Sequence, residues 1–307
     1  GDRVLTTPEY TAYIKIAEGC DNRCAYCAIP SIRGRFRSRT IEDIVDEAKQ
    51  LEALGIKELN IVAQDITRYG LDIYGSYKLA ELLKEITKAT NIPWIRLLYC
   101  YPDKITDELI AEMRDNDRIL KYIDMPIQHI SDNMLKAMNR HGDSAMIRGV
   151  IEKLRREIPG IVIRTTLIVG FPGETESDFE ELCEFVKNTR FERLGVFPYS
   201  REEDTPAYDF EDQIDEQVKQ DRADIVMREQ LEINTQNNEE SIGKTITVLC
   251  EDYDPVASVH FGRSFADAPE IDGKVYFKAD RRIAPGSFVR VKIRDVLDYD
   301  LYGRAIL

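Results

Sequence analysis

Glu18-Gly19-Cys20-Asp21-Asn22-Arg23-Cys24-Ala25-Tyr26-Cys27-Ala28-Ile29-Pro30 places three of the chain's six cysteines within eight residues. Thiolates held that close on a short loop can converge on one soft metal centre, and iron–sulfur cubanes are built from such ligands. Three ligands leave one iron of a four-iron cluster without a cysteine, open to chelation by a small molecule that carries an amine and a carboxylate. A structural zinc site would bring four ligands as two spaced pairs, and no second pair lies nearby. Six cysteines in 307 residues are also too sparse for a disulfide framework. Cys100, Cys183 and Cys250 are scattered and read as buried structural thiols.

On either side of this loop the chain alternates strand and helix. Tyr13–Ala17 reads as a short buried strand ending at the cysteines. Thr40 and Asp43 form a capping-box-like start, and Ile41, Ile44, Val45, Ala48, Leu51 and Leu54 recur at helical spacing until Gly55. Further strands are expected over Glu58–Ala63, Ile95–Leu98, Lys121–Met125, Ile161–Val169 and Leu194–Phe197. Helices are expected over Lys78–Thr90, Asp107–Arg114, Ser144–Glu157 and Glu176–Thr189, with a long one from Asp215 towards Glu240. Six such repeats imply parallel strands with right-handed crossovers. They are too few for an eight-fold barrel and fit a partial, TIM-like (β/α)6 barrel with its chemistry at the carboxyl ends of the strands.

From about Ile242 the pattern changes to short alternating strands, Thr245–Cys250, Ala257–Phe261, Lys274–Phe277, Phe288–Ile293 and Leu301–Ile306. Asp252–Pro255, Asp267–Asp272 and Pro285-Gly286 supply turns. Five strands in such a span suit a small antiparallel, OB-like β-barrel. The organisation is therefore an α/β core over 1–241 followed by a partner-binding module over 242–307. The first residues, Gly1–Tyr10, are polar and turn-like.

The C-x3-C-x2-C spacing, with Tyr26 before the last cysteine, resembles the radical S-adenosylmethionine (SAM) superfamily. Cys24 to Arg39 is similar to its methylthiotransferase branch, in particular the members that modify a ribosomal protein. The 242–307 region resembles the TRAM domain appended to those enzymes. The resemblance implies a [4Fe-4S] cluster held by Cys20, Cys24 and Cys27, with SAM on the open iron. One electron from a flavodoxin- or ferredoxin-like donor would then break the S–C5′ bond of SAM, giving methionine and a 5′-deoxyadenosyl radical. The implied reaction is β-methylthiolation of an aspartate in small-subunit ribosomal protein twelve, alone or in the small subunit. A second [4Fe-4S] cluster, carried by the family in an amino-terminal domain, is expected only in the full-length enzyme, since this chain starts about twenty residues before Cys20. Two other readings stand beside this one: a tRNA methylthiotransferase acting on a modified adenosine, and a non-catalytic ribosome- or RNA-binding iron–sulfur module.

Several loops after strands carry candidate side chains. Tyr26 belongs to the cysteine motif and is a cofactor-binding candidate. Where many radical SAM enzymes place Gly-Gly-Glu to hold the methionine amine, this chain has Gln64 and Asp65; either is a candidate, and a cap for the next turn is the alternative. Pro126 ends a strand and projects Gln128 and His129 from its edge, candidates for substrate or cofactor contact. Gly170 to Glu174 matches the superfamily's Gly-x-x-Gly-Glu pattern, placing Gly170 and Glu174 beside SAM, with Thr175 and Asp178 starting the next helix. Phe197 resembles the adenine-side segment, where backbone groups do the binding. Arg33, Arg35, Arg37 and Arg39 alternate just after the cysteine loop, and Arg33 or Arg35 is a candidate to orient a substrate aspartate through bidentate bonds.

A net charge of −14 works against a phosphate-gripping protein and suits a basic partner. No run of about 18 apolar residues opens a route across a membrane. The chain opens with Gly1-Asp2-Arg3 rather than an apolar leader, and clustered reduced thiols suit the cytoplasm.

Overall fold

A computed structural model describes residues 9–307, so all but the last two residues of the expected turn-like opening lie outside the described residues. Six strands, β1 (Thr11–Lys15), β4 (Glu58–Val62), β5 (Trp94–Leu97), β6 (Ile119–Asp124), β7 (Val162–Val169) and β8 (Arg193–Pro198), form one sheet in chain order. Every adjacent pair is parallel. A two-strand ribbon, β2 (Ala17–Glu18) with β3 (Arg37–Ser38), brackets the cysteine loop and the short helix α1 (Ile29–Arg33).

The crossover helices are α2 (Ile41–Ala53), α4 (Leu79–Ala89), α5 (Asp107–Asp115), α7 (Ser144–Glu157) and α8 (Glu176–Thr189), with α9 (Glu216–Glu239) closing the series. Short helices α3 (Leu71–Tyr74) and α6 (Asp132–Ala137) were not legible from periodicity, because four to six residues complete too little of a helical stripe. Caps fix the starts: the side chains of Thr40, Thr106, Asp143 and Thr175 accept from amides in the first turn. Thr175 and Asp178 make a full reciprocal capping box.

Alternate strand residues face opposite ways, so the sheet has two cores. Ile14, Leu59, Ile61, Ile95, Leu97, Ile123, Ile163 and Leu194 pack against the helices in the main cluster. The opposite parity, Tyr13, Val62, Trp94, Leu98, Tyr122 and Val162, packs against Leu249, Ala266, Ala268 and Phe288 from the carboxyl-terminal region.

That region is a closed barrel in the order β10-β11-β13-β12-β9, from β9 (Thr245–Asp254), β10 (Val259–Arg263), β11 (Val275–Lys278), β12 (Phe288–Leu297) and β13 (Asp300–Ile306). The expected all-antiparallel pairing is corrected at one seam, where β11 runs parallel to β13. Five strands closed into a ring cannot alternate direction all the way round, so at least one neighbouring pair must be parallel.

The 264–273 loop of this barrel lies against the inner face of the sheet. Arg263 donates both terminal guanidinium nitrogens to the Glu58 carboxylate at 2.8 and 2.6 Å, and Arg96 donates to Glu58 at 3.1 Å and to the Phe265 carbonyl at 2.7 Å. Asp272 accepts from Tyr122 at 2.6 Å and Arg164 at 2.7 Å, while Asp267 accepts from Arg193 at 2.8 Å. Glu58, Arg96 and Arg263 are buried. Burial alone would push Glu58 up, but Arg263 and Arg96 hold it below the usual carboxylate range.

Candidate active site

The loop after β1 places Cys20, Cys24 and Cys27 at the carboxyl end of the sheet, where they line one cavity of about 230 Å³ with Tyr26, Gln64, Tyr99, Tyr101, Pro126, Gln128 and Thr166. Gly19 makes the loop possible: its φ is +78°, and a Cβ there would stand 2.3 Å from the Arg35 carbonyl oxygen. The Cys20 amide donates to the Gly34 carbonyl, and the Ala25 amide to that of Met138. Backbone strain gathers here too, since Arg23, Tyr99, Gln128 and Asn139 all have positive φ.

Among the described residues no three His, Cys, Asp or Glu side chains converge on a point fit for one metal ion. Three thiols ringed about a cavity instead suit a polynuclear cluster, in which each sulfur takes its own iron. Amides already point at two of them, Asn22 N–H at Cys20 Sγ and Ile29 N–H at Cys27 Sγ, each 3.4 Å away. Burial pushes the Cys20 and Cys27 thiols up, and these amides work against it. Cys100 and Cys250 are buried and Cys183 half-buried, and burial raises all three, as befits inert packing thiols.

The other expected site residues divide by where their polar atoms point. Gln64 and Gln128 line the cavity, and Gln128 Oε1 is buried with no hydrogen-bond partner among the described residues. Tyr26 lines it as well, its hydroxyl accepting from Arg140 at 3.3 Å. Asp65 takes the capping alternative: its carboxylate is buried, accepting from the Thr67 amide, Asn22 Nδ2 and Lys104.

His129 and Glu174 bond to each other. The amides of Ile130 and Ser131 donate to His129 Nδ1, leaving Nε2–H to donate to Glu174 at 2.7 Å. Glu174 also accepts from Arg222 at 2.7 Å and from the Gly170 amide at 2.9 Å. Together they form a buried clamp on the loop after β7. Gly170 has φ +74°, and a Cβ there would meet the Lys219 side chain at 2.3 Å. Phe197, at the end of β8, is 56% exposed.

Of the arginine run, Arg39 is tied to the Lys15 carbonyl, Asp43 and Glu47, and Arg37 donates to the Arg33 and Arg35 carbonyls. Arg35 is exposed. Arg33 borders a second cavity of about 480 Å³, which shares Gln64 and Tyr99 with the first and is walled by Pro269–Ile271 of the small barrel.

Residues absent from the expected set complete the site. Tyr101 carries two cations over its ring, Arg140 at 4.3 Å from the centroid and Lys104 at 4.8 Å. Asp124 closes β6, where burial raises its carboxyl to about 6 against the opposing pull of the Tyr99 amide and Arg164.

An open parallel sheet with three cysteines on its first loop and a five-stranded barrel behind it defines a radical SAM core carrying a TRAM-type module. The description "Radical SAM superfamily" matches residues 14–186, and "TRAM domain" matches residues 242–306. The ribosomal protein uS12 methylthiotransferase RimO of Desulforamulus reducens is 53% identical over 302 residues, covering 98% of this chain and 68% of that protein. The proteins of the same description from Thermoanaerobacter sp. and Clostridium botulinum are 52% and 50% identical, with 98% and 99% of this chain and 68% of each relative covered. The chain belongs to this family of radical SAM methylthiotransferases. Among solved structures, coproporphyrinogen III oxidase of Escherichia coli aligns with a TM-score of 0.53 at 17% identity, over 75% of this chain and 53% of that one. The methyltransferase TsrM of Kitasatospora setae aligns at 0.54 and 21%, over 64% and 36%. At such identities these two share the fold.

Proposed function

We propose that this chain is the radical SAM core and TRAM portion of a methylthiotransferase acting on ribosomal protein uS12, the activity named for its relatives. The observation that carries the reading is the ring of three thiols on one cavity at the carboxyl end of a parallel sheet. Cys20, Cys24 and Cys27 would hold a [4Fe-4S] cluster, and the chain's own part is to bind, orient and exclude water. Such a cluster with SAM supplies, when bound, the electron and carbon radical that take hydrogen from an unactivated carbon.

Gln128 Oε1, buried and free to accept, would receive an N–H or O–H of the cofactor, and Gln64, which lines the same cavity, would share that role. The Gly170 turn and the backbone beside Phe197 would line the far end of SAM. We assign Arg33 to orienting the target side chain, because it borders the second cavity, which shares Gln64 and Tyr99 with the first. Arg35, which lines neither cavity, is the lesser candidate. The target is an aspartate, whose carboxylate matches a guanidinium fork.

The small barrel would add the basic protein's contacts, with the chain's charge of −14 favouring a cationic partner. A flavodoxin- or ferredoxin-like donor is the proposed reductant and the cytoplasm the compartment. Among the described residues no helix is long and apolar enough to cross a membrane.

The test is anaerobic reconstitution followed by binding to uS12 and, separately, to bulk tRNA over a salt series. Retention of uS12 with loss of tRNA near 0.15 M salt supports the reading; the reverse preference moves the chain to tRNA modification. Failure to form 5′-deoxyadenosine from SAM under reducing conditions would leave only a binding module.

A further inference from the structure

The guanidinium of Arg140 is buried at the back of the cysteine loop with no Asp or Glu paired to it among the described residues. Its terminal nitrogens reach the Pro126 carbonyl at 2.6 Å, the Tyr26 hydroxyl at 3.3 Å and Cys24 Sγ at 3.8 Å, and its plane lies over Tyr101. Placement comes from the backbone: Met138 accepts from the Ala25 amide, and Asn139 donates its side-chain N–H to the Arg23 carbonyl, so the segment is laced to the cysteine loop. A buried cation without an anion costs several kcal/mol, and arginine cannot shed its proton to escape that cost. The group in reach that would carry negative charge once it ligates iron is the sulfur of Cys24.

Lys104 is a second cation over the Tyr101 ring. It donates to Asn22 Oδ1 at 2.9 Å, and Asn22 in turn points its amide and side-chain N–H at Cys20 Sγ. Lys104, however, already has Asp65 at 3.1 Å and Asp103 at 3.4 Å. Its charge is largely cancelled, whereas that of Arg140 is not.

We propose that Arg140 is the fixed positive charge that sets the reduction potential of the iron–sulfur centre held by Cys20, Cys24 and Cys27, an inference that rests on those cysteines holding a cluster. Taking up one electron adds one negative charge to the centre. A cation close to a ligand sulfur favours that reduced form, and in a buried site the attraction is little screened. Arg140 is thus a positioning and electrostatic residue that raises the potential towards the reach of a protein donor. Tyr101 holds the guanidinium in plane, and the Pro126 carbonyl fixes its distance.

The test uses the full chain, reconstituted anaerobically without SAM, as wild type, Arg140→Lys and Arg140→Gln. Iron content and the absorbance of the wild-type cluster check the underlying assignment first. The proposal itself is read from an EPR-monitored redox titration. Arg140→Gln should show a tenfold lower ratio of reduced to oxidised cluster at a given potential, equivalent to about 59 mV for a one-electron couple. Arg140→Lys should stay within about threefold of wild type. A Gln variant that folds but assembles no cluster, while Lys assembles one, also supports a charge requirement. Equal ratios in all three proteins would overturn the proposal, as would two folded variants that both fail to load iron, since the guanidinium would then be filling space.

Discussion

Replacing Arg263 by methionine keeps much of the apolar stem and removes the charge that meets Glu58. In the native protein the carboxylate receives two bonds from Arg263 at 2.6 and 2.8 Å, one from Arg96 at 3.1 Å and one from Thr11 at 3.2 Å, all of them buried. Breaking a buried pair by removing one partner costs about 3–5 kcal/mol, most of it the penalty of an unmatched charge. Because Arg96 and Thr11 remain, the expected loss lies near the lower end, about 3 kcal/mol in urea unfolding at pH 7. In the Arg263→Met background Glu58 has already lost its two shortest bonds, so adding Glu58→Gln should cost less than it does alone, and the double variant should fall about 1–2 kcal/mol short of the sum of the two single losses. Acid gives an independent check. The folded pKa of Glu58 is lowered, so its stabilisation is complete above the ordinary carboxylate range and is lost as pH falls through the folded value. The wild type should therefore lose more stability on acidification below about pH 4 than the Arg263→Met variant. A single-variant loss under about 1 kcal/mol, or strict additivity in the cycle, would refute the reasoning.

Glu174→Gln should cost about 2 kcal/mol through the weakened bonds from Arg222, which keeps Glu176, and from His129, with SAM binding to the reconstituted protein unchanged; normal stability with lost SAM binding would instead mark it as a cofactor contact. Asp124 has a raised carboxyl near 6, so it is protonated when folded and ionised when unfolded between about pH 4 and 6; stability drains as pH rises through that window. Asp124→Asn, measured by thermal melts across pH, should flatten that slope and gain about 2 kcal/mol at pH 8 relative to pH 4. Arg33→Ala is expected to weaken turnover on a uS12 substrate by at least tenfold while leaving deoxyadenosine formation intact, and Arg35→Ala to do less; unchanged turnover in both removes the aspartate-orienting role.

The fold was legible because its signals are local. α7 and α8 start and stop at the residues their caps and apolar stripes indicate, and the six strands appear within two residues of their expected ends. The cysteine loop needed only spacing. What stayed hidden depends on residues far apart in sequence. Nothing local separates a lysine that would sit on the surface from Lys104, whose ammonium is buried under Tyr101 and reaches Asn22, 82 residues earlier. Arg140 lies 116 residues from Cys24, after a helix too short to read. One cue was available: Tyr101 and Lys104 follow the carboxyl end of β5, where barrel chemistry gathers. The buried bonds of Asp65, His129 and Glu174 were hidden for a shared reason. Each residue was placed by motif position, and motif position fixes a backbone site without saying which partners the side chain finds. Glu58 and Arg96 carried a different cue, since charges within otherwise apolar strands imply a buried partner.

The bond between Glu58 and Arg263 spans 205 residues, and it bears on how the protein is made. At about 5–20 residues per second, translation separates the two partners by roughly 10–40 s. During that interval the six strands and their crossover helices are already available, and the loops at their carboxyl ends can close, Glu174 with His129 included. The inner face must wait. Trp94, Tyr122 and the charges of Glu58, Arg96 and Arg164 remain in water until the 264–273 loop leaves the ribosome and covers them. The mouth of the barrel is thus finished early and its floor last, so nascent chains stalled before Ser264 should be recognised by chaperones through that uncovered face.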